Sequence, residues 1–157
     1  MRLLLGLDAC ILYVFQHLVN ALSDWRSHYG LAMLAMCVAC GCCTASAGLL
    51  LVTDIWWVAP IYGFLTYQWA RRAQMYSLLE QYEDQGGRIP PLPVIQIAML
   101  RLFYIACLIV FVLMIDTLTY TLPWMIYVIG WTFLITAHYL AGCRPGTPRR
   151  QRVWTPV

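Results

Sequence analysis

Cysteines 37, 40, 42 and 43 are the side chains whose type and spacing come nearest to chemistry in this chain. Cys37-x-x-Cys40-x-Cys42-Cys43 has the spacing of a redox-active thiol pair or of metal ligands, and both roles require thiolate. The run that carries it, LAMLAMCVACGCCTASAGLLLV from Leu31 to Val52, has no charge at all. Thiolate in such a run is costly, so the competing role is cysteine as a small, polarizable packing residue. Histidines raise a second chemistry. A b-type haem takes two imidazoles from facing helices at matching depth, and His17 and His138 are the pair that could meet. Neither pattern demands a bound group, so no cofactor and no metal ion is expected.

The Cys37/Cys40 pair resembles that of four-helix membrane oxidoreductases that pass electrons from thiols to quinone. The likeness covers these few residues only. Those enzymes need the pair at the outer membrane face and a partner pair in an outer loop. Here the pair lies part-way into a span that starts on the inside, and neither outer turn contains a cysteine. Of the remaining cysteines, Cys107 sits in another apolar run, and only Cys10 and Cys143 lie near boundaries. With no N-x-[ST] sequon either, a disulfide-stapled secreted domain is excluded.

Polar groups in apolar runs are functional hypotheses by default. They are Asp8, Gln68, Gln96 and Arg101, all close to an inner boundary. Arg101 is placed to snorkel to the headgroups or to pair with Asp8 inside the bundle. The middles of the first, second and fourth spans carry no charge, which argues against a proton relay or an ion-coupled transporter.

The elements that position these residues follow from composition. The 157 residues are 62% hydrophobic and 11% charged, against about 25% charged in a soluble domain. An all-α integral membrane protein is expected, one domain over 1–143 with a basic, Pro-rich tail at 144–157. Four transmembrane helices at about 31–52, 55–70, 98–115 and 121–141 form two hairpins. Pro60 is expected to kink the second. That span continues as a cytoplasmic helix over 71–85, which Gly86-Gly87 and prolines 90, 91 and 93 stop. Residues 3–22 form an N-terminal amphipathic helix, with a fifth span as the alternative. Its apolar face is Leu4, Leu7, Ile11, Phe15, Leu18 and Leu22; Asp8, Tyr13, Gln16, His17 and Asn20 share the other half. The same polar residues argue against a cleaved leader, despite Val19-Asn20-Ala21.

Arginine placement orients the chain. Arg26, Arg71, Arg72, Arg88, Arg144, Arg149, Arg150 and Arg152 all fall on one side, and the turns at 53–54 and 116–120 have none. The positive-inside rule makes that side cytoplasmic, the C-terminus included. The membrane itself could be a plasma, inner or ER-type membrane.

Small residues mark the first span as the packed centre. Ala35, Ala39, Cys43 and Ala47 recur every fourth residue, Gly41 and Ala45 form a second row, and Gly48 ends a third. Such rows let helices approach closely in lipid. The expected partners are the bilayer and other membrane subunits or further copies of the chain, with no nucleic acid. Contacts to lipid or a partner are expected from Arg71, Arg72, Met75, Leu79, Tyr82, Arg149, Arg150 and Arg152. The functional expectation is a non-catalytic accessory or assembly subunit of a larger membrane complex. The alternatives are a thiol–quinone oxidoreductase using Cys37 and Cys40, a holin-like oligomeric pore, and a small haem-binding subunit.

Overall fold

A computed structural model describes residues 2–53, 56–85, 94–114 and 121–145. In chain order the elements are α1 (Arg2–Leu22), α2 (His28–Leu50), a 3-10 turn (Trp56–Val58), α3 (Ala59–Asp84), α4 (Val94–Met114) and α5 (Thr121–Ala141). No strand occurs among the described residues. The prolines at 90, 91 and 93, the turn at 116–120 and the tail arginines Arg149, Arg150 and Arg152 lie outside them.

Two boundaries differ from expectation for local reasons. α2 begins at His28 because Ser27, in extended backbone, caps it: Ser27 Oγ accepts from the Gly30 N–H at 2.9 Å. An N-cap serine satisfies one of the orphan donors of the first turn, so His28 to Gly30 are helical. Pro60 lies in the first turn of α3. Its missing N–H would have no helical partner there in any case, so the expected kink does not arise. The 3-10 turn leads in, and α3 runs unbroken into its polar half.

Among the described residues four helices are long and apolar enough to cross a membrane, through windows Leu5–Leu22, His28–Leu50, Gln96–Leu113 and Leu122–Ala141. The number is the expected one; the membership is not. α1 qualifies, and α3 does not, because Thr66, Gln68, Arg71, Arg72 and Gln74 dilute its apolar part.

α2 packs between α3 and α5. Ala35, Ala39 and Cys43 are buried. Gly130 of α5 comes so close that a Cβ there would lie 2.8 Å from Cys42 Cβ and 3.2 Å from the Ala39 carbonyl oxygen. Ser46 Oγ donates to the Pro123 carbonyl at 2.7 Å, and Cys43 Sγ donates to the Tyr62 carbonyl of α3 at 3.5 Å. Aromatic rings join α3, α4 and α5. Tyr62 lies 4.6 Å from Tyr127, Trp69 5.8 Å from Trp131, and Phe111 5.1 Å from Trp131. Trp131 Nε1 donates to the Tyr104 carbonyl at 2.9 Å, which satisfies the indole inside the apolar layer.

α1 lies against the end of the bundle where α4 begins and α5 finishes. Its faces are divided differently from the expected wheel. Asp8 is buried, and Gln16 and Asn20 are half-buried toward the protein, whereas Leu3, Leu7, Val14 and Leu18 are exposed. Tyr13 and His17 stay exposed while Ile11, Phe15 and Leu22 pack inward, so the buried face of α1 mixes apolar residues with the polar groups that meet Arg101 and the chain beyond α5.

Candidate functional site

The most developed polar site joins α1, α4 and α5. Arg101 Nε and Nη2 donate to Asp8 Oδ1 and Oδ2 at 3.0 and 2.6 Å. Tyr139 OH donates to Asp8 Oδ1 at 2.9 Å. The guanidinium carbon sits 4.8 Å from the centroid of the Tyr139 ring, within cation–π range. Asp8 and Arg101 are 4% and 3% exposed. Isolated, either charge would be costly to bury; together, with a fork-to-fork geometry and a third donor, they neutralise each other. Arg101 therefore turns inward to a carboxylate and does not snorkel to the headgroups.

Local sequence builds this site from three directions. Gly142, just past α5, leaves room for the guanidinium, since a Cβ there would strike Arg101 Nη1. Phe15 of α1 stacks on the Tyr139 ring at 5.1 Å and 11°. Gln16 clamps the chain beyond α5: its Nε2 donates to the Arg144 carbonyl at 3.1 Å, and the Arg144 N–H donates to Gln16 Oε1 at 2.8 Å. The arrangement saturates the Asp8 carboxylate with donors. It fixes charge and orients α1, and offers no open base or nucleophile.

A second polar contact lies nearby on α3 and α5. His138 is buried, with Nδ1 2.7 Å from the Leu134 carbonyl. A carbonyl only accepts, so Nδ1 carries the hydrogen and Nε2 accepts from Arg72 Nη1. The edge of Tyr104 closes over the imidazole at 5.0 Å. One turn further along α3 from Arg72, burial pushes the Tyr76 hydroxyl up to about 12.

A third cluster ties the α1–α2 turn to the far half of α3. Ser27 Oγ donates to Glu80 Oε1 at 2.8 Å, Arg26 Nε lies 3.7 Å from the same oxygen, and His28 Nδ1 lies 3.7 Å from Glu83 Oε2. α2 passes this cluster closely at Gly30, where a Cβ would meet Glu80 Oε1 and, at 2.7 Å, Arg26 Cγ, so that both side chains would have to shift.

The other residues singled out from sequence fall apart spatially. Cys37 is exposed, whereas Cys40 is half-buried with Sγ 3.9 Å from the Thr66 carbonyl. His17 is exposed, edge-on to Tyr13 at 4.5 Å, while both ring nitrogens of His138 are engaged. Among the described residues no three His, Cys, Asp or Glu side chains are grouped to hold a metal ion. Gly41, Ala45 and Gly48 face outward, and a Cβ on either glycine would meet nothing within 4 Å. Ala47 and Leu79 are half-buried, and Arg71, Met75 and Tyr82 are exposed. An open groove of about 510 Å³ between α2 and α3 is lined by Met33, Cys37, Ala73, Gln74, Ser77 and Leu78.

No family model matches the chain, and neither a curated protein nor a solved structure matches it. Several members of the polar sites have no counterpart in the sequence reading: Tyr139 and Gly142, the Gln16–Arg144 clamp, the cluster of Arg26, Ser27 and His28 with Glu80 and Glu83, and the Arg72–His138 contact. The signal for the last was available, since Arg72 and His138 close the apolar parts of two expected spans at the same membrane face.

Proposed function

We propose that the protein is a non-catalytic accessory or assembly subunit of a larger membrane complex, joined through the uncovered face of α2. The observation that carries this reading is the contrast between the two faces of one helix. One face, through Ala35, Ala39 and Cys43, is buried under α3 and α5. The other presents Cys37, Gly41, Ala45 and Gly48, spaced four, four and three residues apart and exposed. Lipid gives apolar helices little reason to associate beyond close packing, and a surface of small residues is what permits it. The exposed Met75, Leu78 and Tyr82 on the polar half of α3 add a second contact area. By the distribution of arginine, that half and the C-terminus face the cytoplasm.

Purification in mild detergent at native expression level, with native mass spectrometry of the intact assembly, tests this. A stoichiometric larger partner is expected, lost in Gly41→Leu and Gly48→Leu while the chain itself stays helical. The same face would also accept a second copy of this chain. A homo-oligomer with no other subunit would replace the accessory role with the pore-forming one.

A further inference from the structure

Charge is balanced at Asp8 and Arg101 and unbalanced beside them. Arg72 is half-buried and its hydrogen-bond partner is His138, an uncharged acceptor in the tautomer required by Leu134. Asp8 is saturated by Arg101 and Tyr139. Glu80 and Glu83 lie two to three turns further along α3, engaged with Arg26, Ser27 and His28. Among the described residues no carboxylate pairs with Arg72 or with its exposed neighbour Arg71. A partly desolvated guanidinium held in place with spare donors, and with no counterion from the chain, is a site for an anion.

Depth and surface identify which anion. At about 1.5 Å per residue, His138 lies about 24 Å along α5 from Leu122, and Arg72 is hydrogen-bonded to it at that level. A hydrocarbon core is roughly 30 Å thick, so these charges stand at or beneath the level of the headgroups, where a bilayer thins locally to reach them. Directly along α3 from Arg71, Ile61, Phe64 and Tyr67 form an exposed apolar face. Cationic groups at the end of an apolar, lipid-facing stripe match a molecule with an anionic head and hydrocarbon tails.

We propose that Arg72, with Arg71 beside it, holds the phosphate of an anionic phospholipid whose acyl chains lie along Ile61, Phe64 and Tyr67. His138 acts as a positioning residue: by accepting from Nη1 it aims the rest of the Arg72 fork at the headgroup. The site is independent of whether α2 binds a partner.

The full-length protein in detergent, equilibrated with equimolar phosphatidylglycerol and phosphatidylcholine, tests this by native mass spectrometry of the retained lipid. One phosphatidylglycerol is expected in preference to phosphatidylcholine. Each juxtamembrane arginine is worth about fivefold in such a preference, so Arg72→Gln should lower it by about that factor. Arg26→Gln, which alters an arginine already paired with Glu80, should leave it unchanged. Equal retention of the two lipids by the wild type overturns the proposal, and this reading needs no variant to fold. An unchanged preference in Arg72→Gln also overturns it. Displacement of the phosphatidylglycerol by excess inorganic phosphate would reassign the site to a soluble anion and end the lipid reading.

Discussion

The middle of α2 and the α1–α4–α5 junction solve the same problem with opposite means. At Ala39, Cys43 and Gly130 the helices are held by shape: small side chains, one inter-helix serine bond and contacts to backbone carbonyls. At Asp8, Arg101 and Tyr139 they are held by charge, in a pair that has no stable meaning unless all three helices are present. Shape tolerates loss of one contact and resists added volume. Charge resists loss of either member, and where Gly142 meets Arg101 it resists added volume too. Each site thus has its own brittle direction.

The brittle direction at the junction gives the largest expected effect. Asp8→Ala leaves Arg101 buried without a counterion, which costs about 3–5 kcal/mol when a buried pair is broken. Thermal unfolding in detergent, with proteolysis of the N-terminal segment as a second readout, measures it. The double variant Asp8→Leu/Arg101→Leu should recover most of the loss. Failure to recover would show that Asp8 and Arg101 act separately. At α2 the brittle direction is addition. Gly130→Leu should destabilise by about 1–3 kcal/mol through overpacking, while Gly41→Leu, on the open face, should leave the isolated chain unchanged in the same assay. Ser46→Ala removes a single inter-helix hydrogen bond, an effect averaging about 0.6 kcal/mol in membrane bundles. Smallest of all is a chemical test. Burial pushes the Cys143 thiol up to about 11 and its Sγ donates to the Tyr139 carbonyl. It should resist alkylation at pH 8 in the folded protein and react once the protein is denatured; equal labelling of the folded and denatured protein would mean the α5 end is open.

How much of this was legible in the sequence depended on whether a residue's role was set locally. α4 and α5 lie close to their expected limits because apolar runs bounded by turns dictate them. α2 was misplaced at its start because Ser27 is followed by His28 and Tyr29, which read as a polar break until the capping bond is seen. Pro60 was read as a kink because its position relative to the helix start decides its effect, and that start is set by the preceding 3-10 turn. For α1 the periodicity was present, yet its sense was ambiguous: a wheel shows which residues share a face, not whether that face meets water or a buried arginine. The Asp8–Arg101 pairing was legible as a possibility because both interrupt apolar runs near one face. Tyr139 was hidden among ten tyrosines, with no spacing to distinguish it. The small-residue rows of α2 were visible in sequence, but which row turned inward depended on Gly130, far along the chain.

The separation in sequence of the Asp8 contacts sets a clock. Arg101 comes 93 residues after Asp8, and Tyr139 comes 131 after. At about 5–20 residues per second of synthesis, the carboxylate of Asp8 spends several seconds or more without the side chains that later enclose it. During that interval α2 and α3 can already meet, since their contacts are nearer in sequence. α1 is therefore made before the helices that hold it and finds its place only after them. A ribosome stalled before α5 should leave α1 accessible to protease, and release of the finished chain should protect it.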